Sequence, residues 1–428
     1  MVKGLVIGAP RSGSGKTIVT LGLLAALNQR GTDVAPAKTG PDYIDPILLA
    51  RAAQRQAINL DPWAMSGHRL QYLAANVDTN YLLIEGVMGL FDGAADGAGS
   101  TGDLAELLEL PVVLVVDADK QSQSIAPLVA GFANWRFGVQ IAGVVLNRVA
   151  STRHEKMLSE ALSATGIPCL GAIPRNEQLV LPERHLGLVL PAEIDVFDHF
   201  LAQAAEAMGN YIDLPQLLEL ARPIQNESDV ARLAPLGQRI AIARDDAFAF
   251  LYPHLLDGWR AAGAELSFFS PLADEAPDAG VDAIYLPGGY PELHGAGIAA
   301  AAKFKAGLKA AQQRNALIYG ECGGFMVMGE VLLDKTGIPH EMTGLLPVVT
   351  QIDRPKRILG YRRLAHQSAL PWPQLLAGHE FHYSSAKQSR LPPLFHANDA
   401  RGEALPPMGA AIGRTMGSYA HVIDVGTP

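Results

Sequence analysis

Cysteine is almost missing from this chain: 428 residues contain only Cys169 and Cys322. Two thiols cannot build a disulfide framework or a four-cysteine metal site, although either can serve as a lone nucleophile. Long apolar runs are missing too. No uninterrupted stretch reaches the ~18 residues of a membrane-crossing helix, and the first residues enter a strand pattern without the basic, apolar and small-residue succession of a secretory signal. A cytoplasmic protein with no membrane partner is expected. Positive charge is sparse, with a net charge of −9. That argues against a general nucleic-acid surface but leaves room for a local basic pocket. What remains is apolar: 49% hydrophobic against 18% charged residues, which with this length predicts well-buried cores in two or three domains.

The first informative stretch is Gly8-Ala-Pro-Arg-Ser-Gly-Ser-Gly-Lys-Thr17. An apolar strand (Gly4–Ile7) precedes it, and apolar residues at helical spacing follow over Ile18–Leu27. Strand, glycine turn and helix N-terminus together aim backbone N–H groups at one spot and favour phosphate there. Gly13, Ser14, Gly15, Lys16 and Thr17 are therefore expected to bind ATP, with the Thr17 hydroxyl on Mg²⁺. The spacing departs from the strict phosphate-loop motif, because Pro10 stands where the first glycine belongs.

Downstream, Val34–Ala37 reads as a strand leading into the loop Lys38-Thr-Gly-Pro-Asp-Tyr-Ile-Asp-Pro46. Loops at the carboxyl ends of parallel strands carry ligands, so Lys38, Asp42 and Asp45 are candidates for phosphate, substrate or metal. The strand Tyr81–Glu85 ends in a carboxylate and runs into Gly86–Gly93, making Glu85 the expected Mg²⁺-side acid and Asp92 a further substrate-side candidate. Strands at Val112–Val116, Ile141–Leu146 and Cys169–Ile173, with helix-length segments between, indicate a parallel doubly wound sheet. Asn147 is a candidate for a purine edge, and Cys169 is read as inert core. The pattern weakens over residues 213–237, with three prolines and a polar run, and a linker is placed there between domains 1–212 and 238–428.

A second α/β pattern begins at Arg239–Ala243 and continues through strands Glu265–Phe269, Ala283–Leu286 and Ala316–Tyr319. The third strand ends in Leu286-Pro-Gly-Gly-Tyr-Pro-Glu292, where Gly288 and Gly289 can expose N–H groups toward an oxyanion, joined by that of Gly323. The fourth runs into Gly320-Glu-Cys-Gly-Gly324, the form of a nucleophile elbow. A helix N-terminus at Cys322 is expected to lower its thiol pKa. Among twelve histidines, His421 is the first choice for the base, with His379 and His382 as rivals. A zinc site at the latter two is disfavoured, because no further ligand cluster accompanies them.

Taken together, the sequence resembles the cobyrinic or hydrogenobyrinic acid a,c-diamide synthases of corrin biosynthesis over nearly its whole length. The pieces that carry the resemblance are Gly13–Thr17, Lys38–Asp45, Glu85–Gly93, Leu286–Leu293, Gly320–Gly324 and Gly378-His-Glu-Phe-His-Tyr-Ser384, in that order. It implies two doubly wound α/β domains, a dethiobiotin-synthetase-like phosphate-loop domain fused to a class I glutamine amidotransferase-like domain. It also implies ATP and L-glutamine as co-substrates, Mg²⁺ as cofactor and an anionic corrinoid as substrate. The nucleophile would match Cys322 and its histidine His421. Many class I amidotransferases place a glutamate two residues after that histidine, but here the position is Ile423 and Asp424 lies one further on. The resemblance therefore implies a Cys–His dyad and leaves the orienting group of His421 unassigned. Arg354, Lys356, Arg357, Arg362 and Arg363 are candidates for an anionic-substrate pocket, and a shielded ammonia path between the domains and a homodimer are further expectations. Related readings are cobyric acid synthase and nickel-sirohydrochlorin diamide synthase. From another class, a partitioning-type switch ATPase would share the phosphate loop but have no need of Gly320–Gly324.

Overall fold

The computed structural model describes residues 1–177, 179, 181, 194–227, 230–352, 357–388 and 391–426. The chain divides into two compact units, Met1–Val230 and Ala231–Pro428.

The first unit runs β1 (Lys3–Gly8), α1 (Lys16–Gln29), β2 (Val34–Thr39), α2 (Ile44–Ala53), β3 (Ile58–Leu60), α3 (Gly67–Ala75), β4 (Tyr81–Glu85), α4 (Thr101–Leu107), β5 (Val112–Asp117), α5 (Ile125–Trp135), β6 (Ile141–Val149), α6 (Thr152–Ser163), β7 (Cys169–Pro174), α7 (Ile194–Tyr211), α8 (Leu214–Leu220) and β8 (Arg222–Pro223). Seven strands pair in parallel in the order β3-β2-β4-β1-β5-β6-β7. β8 pairs antiparallel with Lys3 and Gly4 of β1, ahead of the point where β5 joins at Val6. Strands such as β5 are buried at every position, which is why their sequences are continuously apolar rather than alternating. Parallel register sets the site: Ile7 lies beside Glu85, Lys38 beside Glu85, and Asp117 beside Asn147, all at the carboxyl edge. α1 is buried from Val19 through Leu27 and packs into a core shared with Phe197, Phe200, Ala204 and Met208 of α7. Part of the segment expected to be a linker belongs here as well, because Leu214 and Leu217 of α8 are in that core.

The second unit continues with β9 (Arg239–Ala243), α9 (Pro253–Ala261), β10 (Glu265–Phe269), β11 (Ala283–Leu286), α10 (Gly295–Ala300), α11 (Ala302–Gln313), β12 (Leu317–Glu321) and α12 (Gly323–Met328). Then follow β13 (Val331–Leu333), β14 (Pro339–Glu341), β15 (Val348–Ile352), β16 (Ile358–Ala365), β17 (Leu375–His382), β18 (Ser384–Gln388), β19 (His396–Asn398), β20 (Ala410–Ile412), β21 (Thr415–Ser418) and β22 (His421–Val425). Its main sheet has the order β10-β9-β11-β12-β21-β20. Two four-stranded sheets, β14-β13-β15-β18 and β19-β16-β17-β22, add to the layer that the sequence pattern predicts. The second of these brings His379 of β17 opposite His421 of β22. Among the described residues no helix is long and apolar enough to cross a membrane.

Candidate active sites

The phosphate-loop turn between β1 and α1 is held from β6. Asn147 Nδ2 donates to the Ser14 carbonyl at 2.9 Å, and Arg148 Nη1 donates to the Gly13 carbonyl at 3.0 Å and to Asp117 at 2.8 Å. Gly15 has φ +88°, and a Cβ there would lie 2.1 Å from Asn147 Nδ2, so conformation and space both require glycine. Asn147, expected at a purine edge, instead places its amide on the loop backbone. Arg148 and Asp117 were not singled out from sequence; their position at the carboxyl ends of β6 and β5 was the available signal.

Behind the turn, Glu85 is fully buried, and its Oε1 accepts from the Thr17 hydroxyl at 2.6 Å. The same oxygen lies 3.1 Å from Lys38 Nζ and 3.6 Å from Lys16 Nζ. Burial pulls the Lys16 ammonium down against the attraction of Glu85. Burial also opposes the charge on Lys38, but Glu85 and Asp45 outweigh it and hold that ammonium well above the usual lysine range. Glu85 Oε2 is buried with no hydrogen-bond partner. That orphaned oxygen and the Thr17 hydroxyl are hard donors of the kind Mg²⁺ takes, the rest of its shell normally coming from phosphates and water. Among the described residues no group of three or more His, Cys, Asp or Glu that could hold a metal ion by itself is present. Asp42, expected beside them as a ligand, spends Oδ1 on the backbone N–H groups of Ile44 and Asp45 at the start of α2. Burial, then the neighbouring Asp45, pushes its carboxyl up to about 6. Asp45 pairs with Lys38 at 2.7 Å, and Asp92 accepts from Gly89 N–H at 2.9 Å, closing the loop after β4.

In the second unit Cys322 caps α12 with φ 46° and ψ −107°, the sharp turn of an elbow. Its N–H donates to the Ser418 carbonyl at 2.8 Å, drawing the β21–β22 connection alongside. Gly323 and Gly289 are adjacent: a Cβ on the former would lie 3.1 Å from the latter's nitrogen. A Cβ on Gly288 would lie 2.2 Å from His421 Cε1. His421 is 1% exposed and stacks on His379 with ring centroids 5.0 Å apart. His421 Nδ1 lies 3.7 Å from Oε2 of Glu321, the residue preceding Cys322. Glu321 in turn accepts from the Tyr285 and Tyr319 hydroxyls at 2.7 and 2.9 Å and from Val422 N–H at 3.0 Å.

The expectation of a lowered thiol pKa is not met. Burial, then the Glu292 carboxylate, pushes the Cys322 thiol up, and the Gly323 N–H of a six-residue helix does not compensate. Of the rival bases, His379 accepts or donates at Nε2 to Tyr252 Oη at 2.9 Å, and burial, then His421, holds it well below the usual histidine range. His382 stacks on Tyr419 and contacts Glu380 and the Ser384 carbonyl. Arg362 is buried and ion-paired with Glu380 at 2.6 Å, so it belongs to this sheet rather than to an open cationic pocket. Arg357 and Arg363 are exposed, while Arg354 and Lys356 lie outside the described residues. Cys169 is half-buried in β7, and burial pushes its thiol up.

Residues 5–189 match the CobQ/CobB/MinD/ParA nucleotide binding domain, and residues 239–426 match the CobB/CobQ-like glutamine amidotransferase domain. Full-length relatives agree with both. The hydrogenobyrinate a,c-diamide synthase of Brucella abortus biovar 1 (strain 9-941) is 54% identical over 430 residues, covering 99% of each chain. The proteins of the same name from Sinorhizobium sp and Agrobacterium fabrum (strain C58 / ATCC 33970) are 48% and 47% identical, again over 99% of each chain. With a phosphate loop braced at one sheet edge, a cysteine elbow beside a buried histidine at another, and such identity end to end, the chain belongs to the hydrogenobyrinate a,c-diamide synthase family.

Proposed function

We propose that this chain is an ATP- and glutamine-dependent ligase that converts the a and c carboxylates of hydrogenobyrinic acid to carboxamides in cobalamin biosynthesis. The observation that carries the reading is the pairing, in one chain, of the Thr17–Glu85 phosphate-loop site with a Cys322 elbow and a buried His421 whose Cε1 a Cβ on Gly288 would meet.

A carboxylate is a poor electrophile with hydroxide as leaving group, so activation precedes amidation. The γ-phosphoryl group of ATP passes to a ring carboxylate, giving an acyl phosphate and ADP, while Lys16 and Lys38 neutralise charge near the transferred group. Thr17 and Glu85 would hold Mg²⁺, which when bound shields the phosphate oxygens. Asn147 and Arg148 keep the loop carbonyls turned away from the phosphates. At the other site the Cys322 sulfur attacks the side-chain amide carbon of glutamine as its proton moves to the His421 ring. N–H groups of Gly289 and Gly323 donate to the developing oxyanion. The ring returns the proton to the leaving nitrogen, ammonia departs, and water cleaves the thioester to release glutamate and the thiol. Ammonia then attacks the acyl phosphate carbon and phosphate leaves. Bulk water would protonate ammonia and remove its nucleophilicity, which is why both activities belong on one chain. Use of ATP and of a thiol that must stay reduced fits the cytoplasm.

The test is mass spectrometry of the ring product after incubating the chain with MgATP and glutamine, separately with hydrogenobyrinic and cobyrinic acids. Two carboxyl-to-carboxamide conversions, stopping there and faster on the metal-free ring, are expected. An unchanged ring in both incubations beside intact ATP hydrolysis would overturn the reading.

A further inference from the structure

We infer that Glu321 is the positioning residue for His421, completing a Cys–His–Glu arrangement in which the carboxylate comes from the residue immediately before the nucleophile. The inference rests on the glutaminase reading of Cys322 and His421. Three facts carry it. Glu321 and His421 are 0% and 1% exposed, and Nδ1 lies 3.7 Å from Oε2. A contact of this length between buried partners tightens when the ring gains a proton, since catalytic hydrogen bonds are often long before substrate binds. The carboxylate is itself fixed by two phenols and a backbone N–H. Burial, then Glu321, holds both phenols well above the usual tyrosine range, so they remain donors. Finally, the usual alternative is unsuited: position 423 is isoleucine, and the Asp424 carboxylate accepts from Val425 N–H next to it.

The placement follows from the main sheet. β12 and β21 run parallel with Glu321 beside Ser418, and the chain turns back three residues later at His421. The side chain of Glu321 therefore points under the elbow, where its Oε2 faces His421 Nδ1. The other titratable group packed on the ring is His379, stacked on it from β17 and bonded to Tyr252, while Glu292, Glu321 and Glu380 act on the Cys322 thiol. Arg362 acts on His379 from β16.

Glu321→Gln keeps the acceptor for Tyr319 and Val422 but removes the charge. Glutamine hydrolysis is expected to fall about 10²-fold in kcat with little change in KM, less than the ~10⁴-fold loss at a directly hydrogen-bonded triad aspartate. Tyr285→Phe strips one donor from the carboxylate and should lower glutaminase kcat by less than Glu321→Gln does. Ammonia-dependent amidation and the melting temperature report on folding. Wild-type glutaminase kcat in Glu321→Gln would overturn the inference. Should that variant fail to fold, ¹⁵N-histidine spectra of the wild-type chain, with His421 assigned from His421→Asn, decide the matter. Hydrogen on Nδ1 at pH 8 is expected, and a bare Nδ1 with hydrogen on Nε2 refutes it. Equal glutamine hydrolysis by wild type and Cys322→Ser would instead sink the glutaminase reading, while the tautomer still tests the position of Glu321.

Discussion

One methyl group separates the two activities. In Gly288→Ala the added Cβ would lie 2.2 Å from His421 Cε1 and 3.2 Å from each ring nitrogen. Ordinary carbon contacts lie at ~3.5 Å or more, so ring and methyl must part by about 1.3 Å (3.5 − 2.2). The backbone of Gly288 is outside the left-handed region, and alanine keeps the N–H, so the perturbation is purely one of space. The ring has nowhere easy to go: His379 stacks at 5.0 Å, the Phe250 ring centroid lies at 6.2 Å, and Glu321 stands at Nδ1. Overpacking of this kind costs ~1–3 kcal/mol of stability, and a misplacement near 1 Å at a catalytic group costs ~10²-fold in rate. Glutamate release from glutamine should therefore fall about 10²-fold, while amide formation from ammonium chloride with the same ATP and ring stays at the wild-type rate. Glutaminase kcat at the wild-type level in Gly288→Ala would refute the placement of His421 beside this turn.

Further outcomes follow from the same geometry. Cys322→Ser should abolish glutamine-dependent amidation and leave the ammonia-dependent reaction intact; loss with both nitrogen donors would contradict the separation of the two chemistries. Glu85→Gln should reduce both, because phosphoryl transfer serves either donor. Asn147→Ala removes a buried hydrogen bond worth ~1–1.5 kcal/mol, so KM for ATP should rise roughly tenfold with glutaminase activity unaffected. The Asp42 carboxyl is raised from 3.8 to about 6 by burial, so its neutral form is the one the fold prefers. Its contribution to stability is full below pH 3.8 and is lost as pH rises through about 6. Asp42→Asn should accordingly melt higher than wild type at pH 8, with the gap closing by pH 4; a gap that widens on acidification would reverse the sign.

The phosphate loop and the elbow were readable because each packs its signal into consecutive residues: strand, glycine turn, helix. Tyr81–Glu85, Arg239–Ala243 and Glu265–Phe269 stand at the bounds their apolar runs suggest. What joins distant segments was not readable. Glu321 looks like one more polar residue in Gly320–Gly324 until β21 is laid beside β12. Asn147 reads as a free strand-end amide until β6 is seen to flank the loop from two strands away from β1. The thiol was misjudged for a related reason: helix geometry is local, whereas burial and the charge of Glu292 are not. Arg362 looked cationic and available because its partner, Glu380, lies on the neighbouring strand.

The close embrace of α1 and α7 bears on how the nucleotide site comes into being during synthesis. A Cβ at Gly22 would lie 2.7 Å from the Ala204 carbonyl oxygen, so the two helices touch nearly backbone to backbone. Lys16, Thr17, Lys38, Glu85 and Asn147 are all translated before residue 149, yet the apolar flank of the helix carrying Lys16 and Thr17 is covered by residues 197–208. A ribosome that has released only the first 190 residues thus presents the chemistry without its support. Limited proteolysis of stalled chains should find α1 cleavable at that length and protected once Tyr211 and the β8 pairing with Lys3 have emerged.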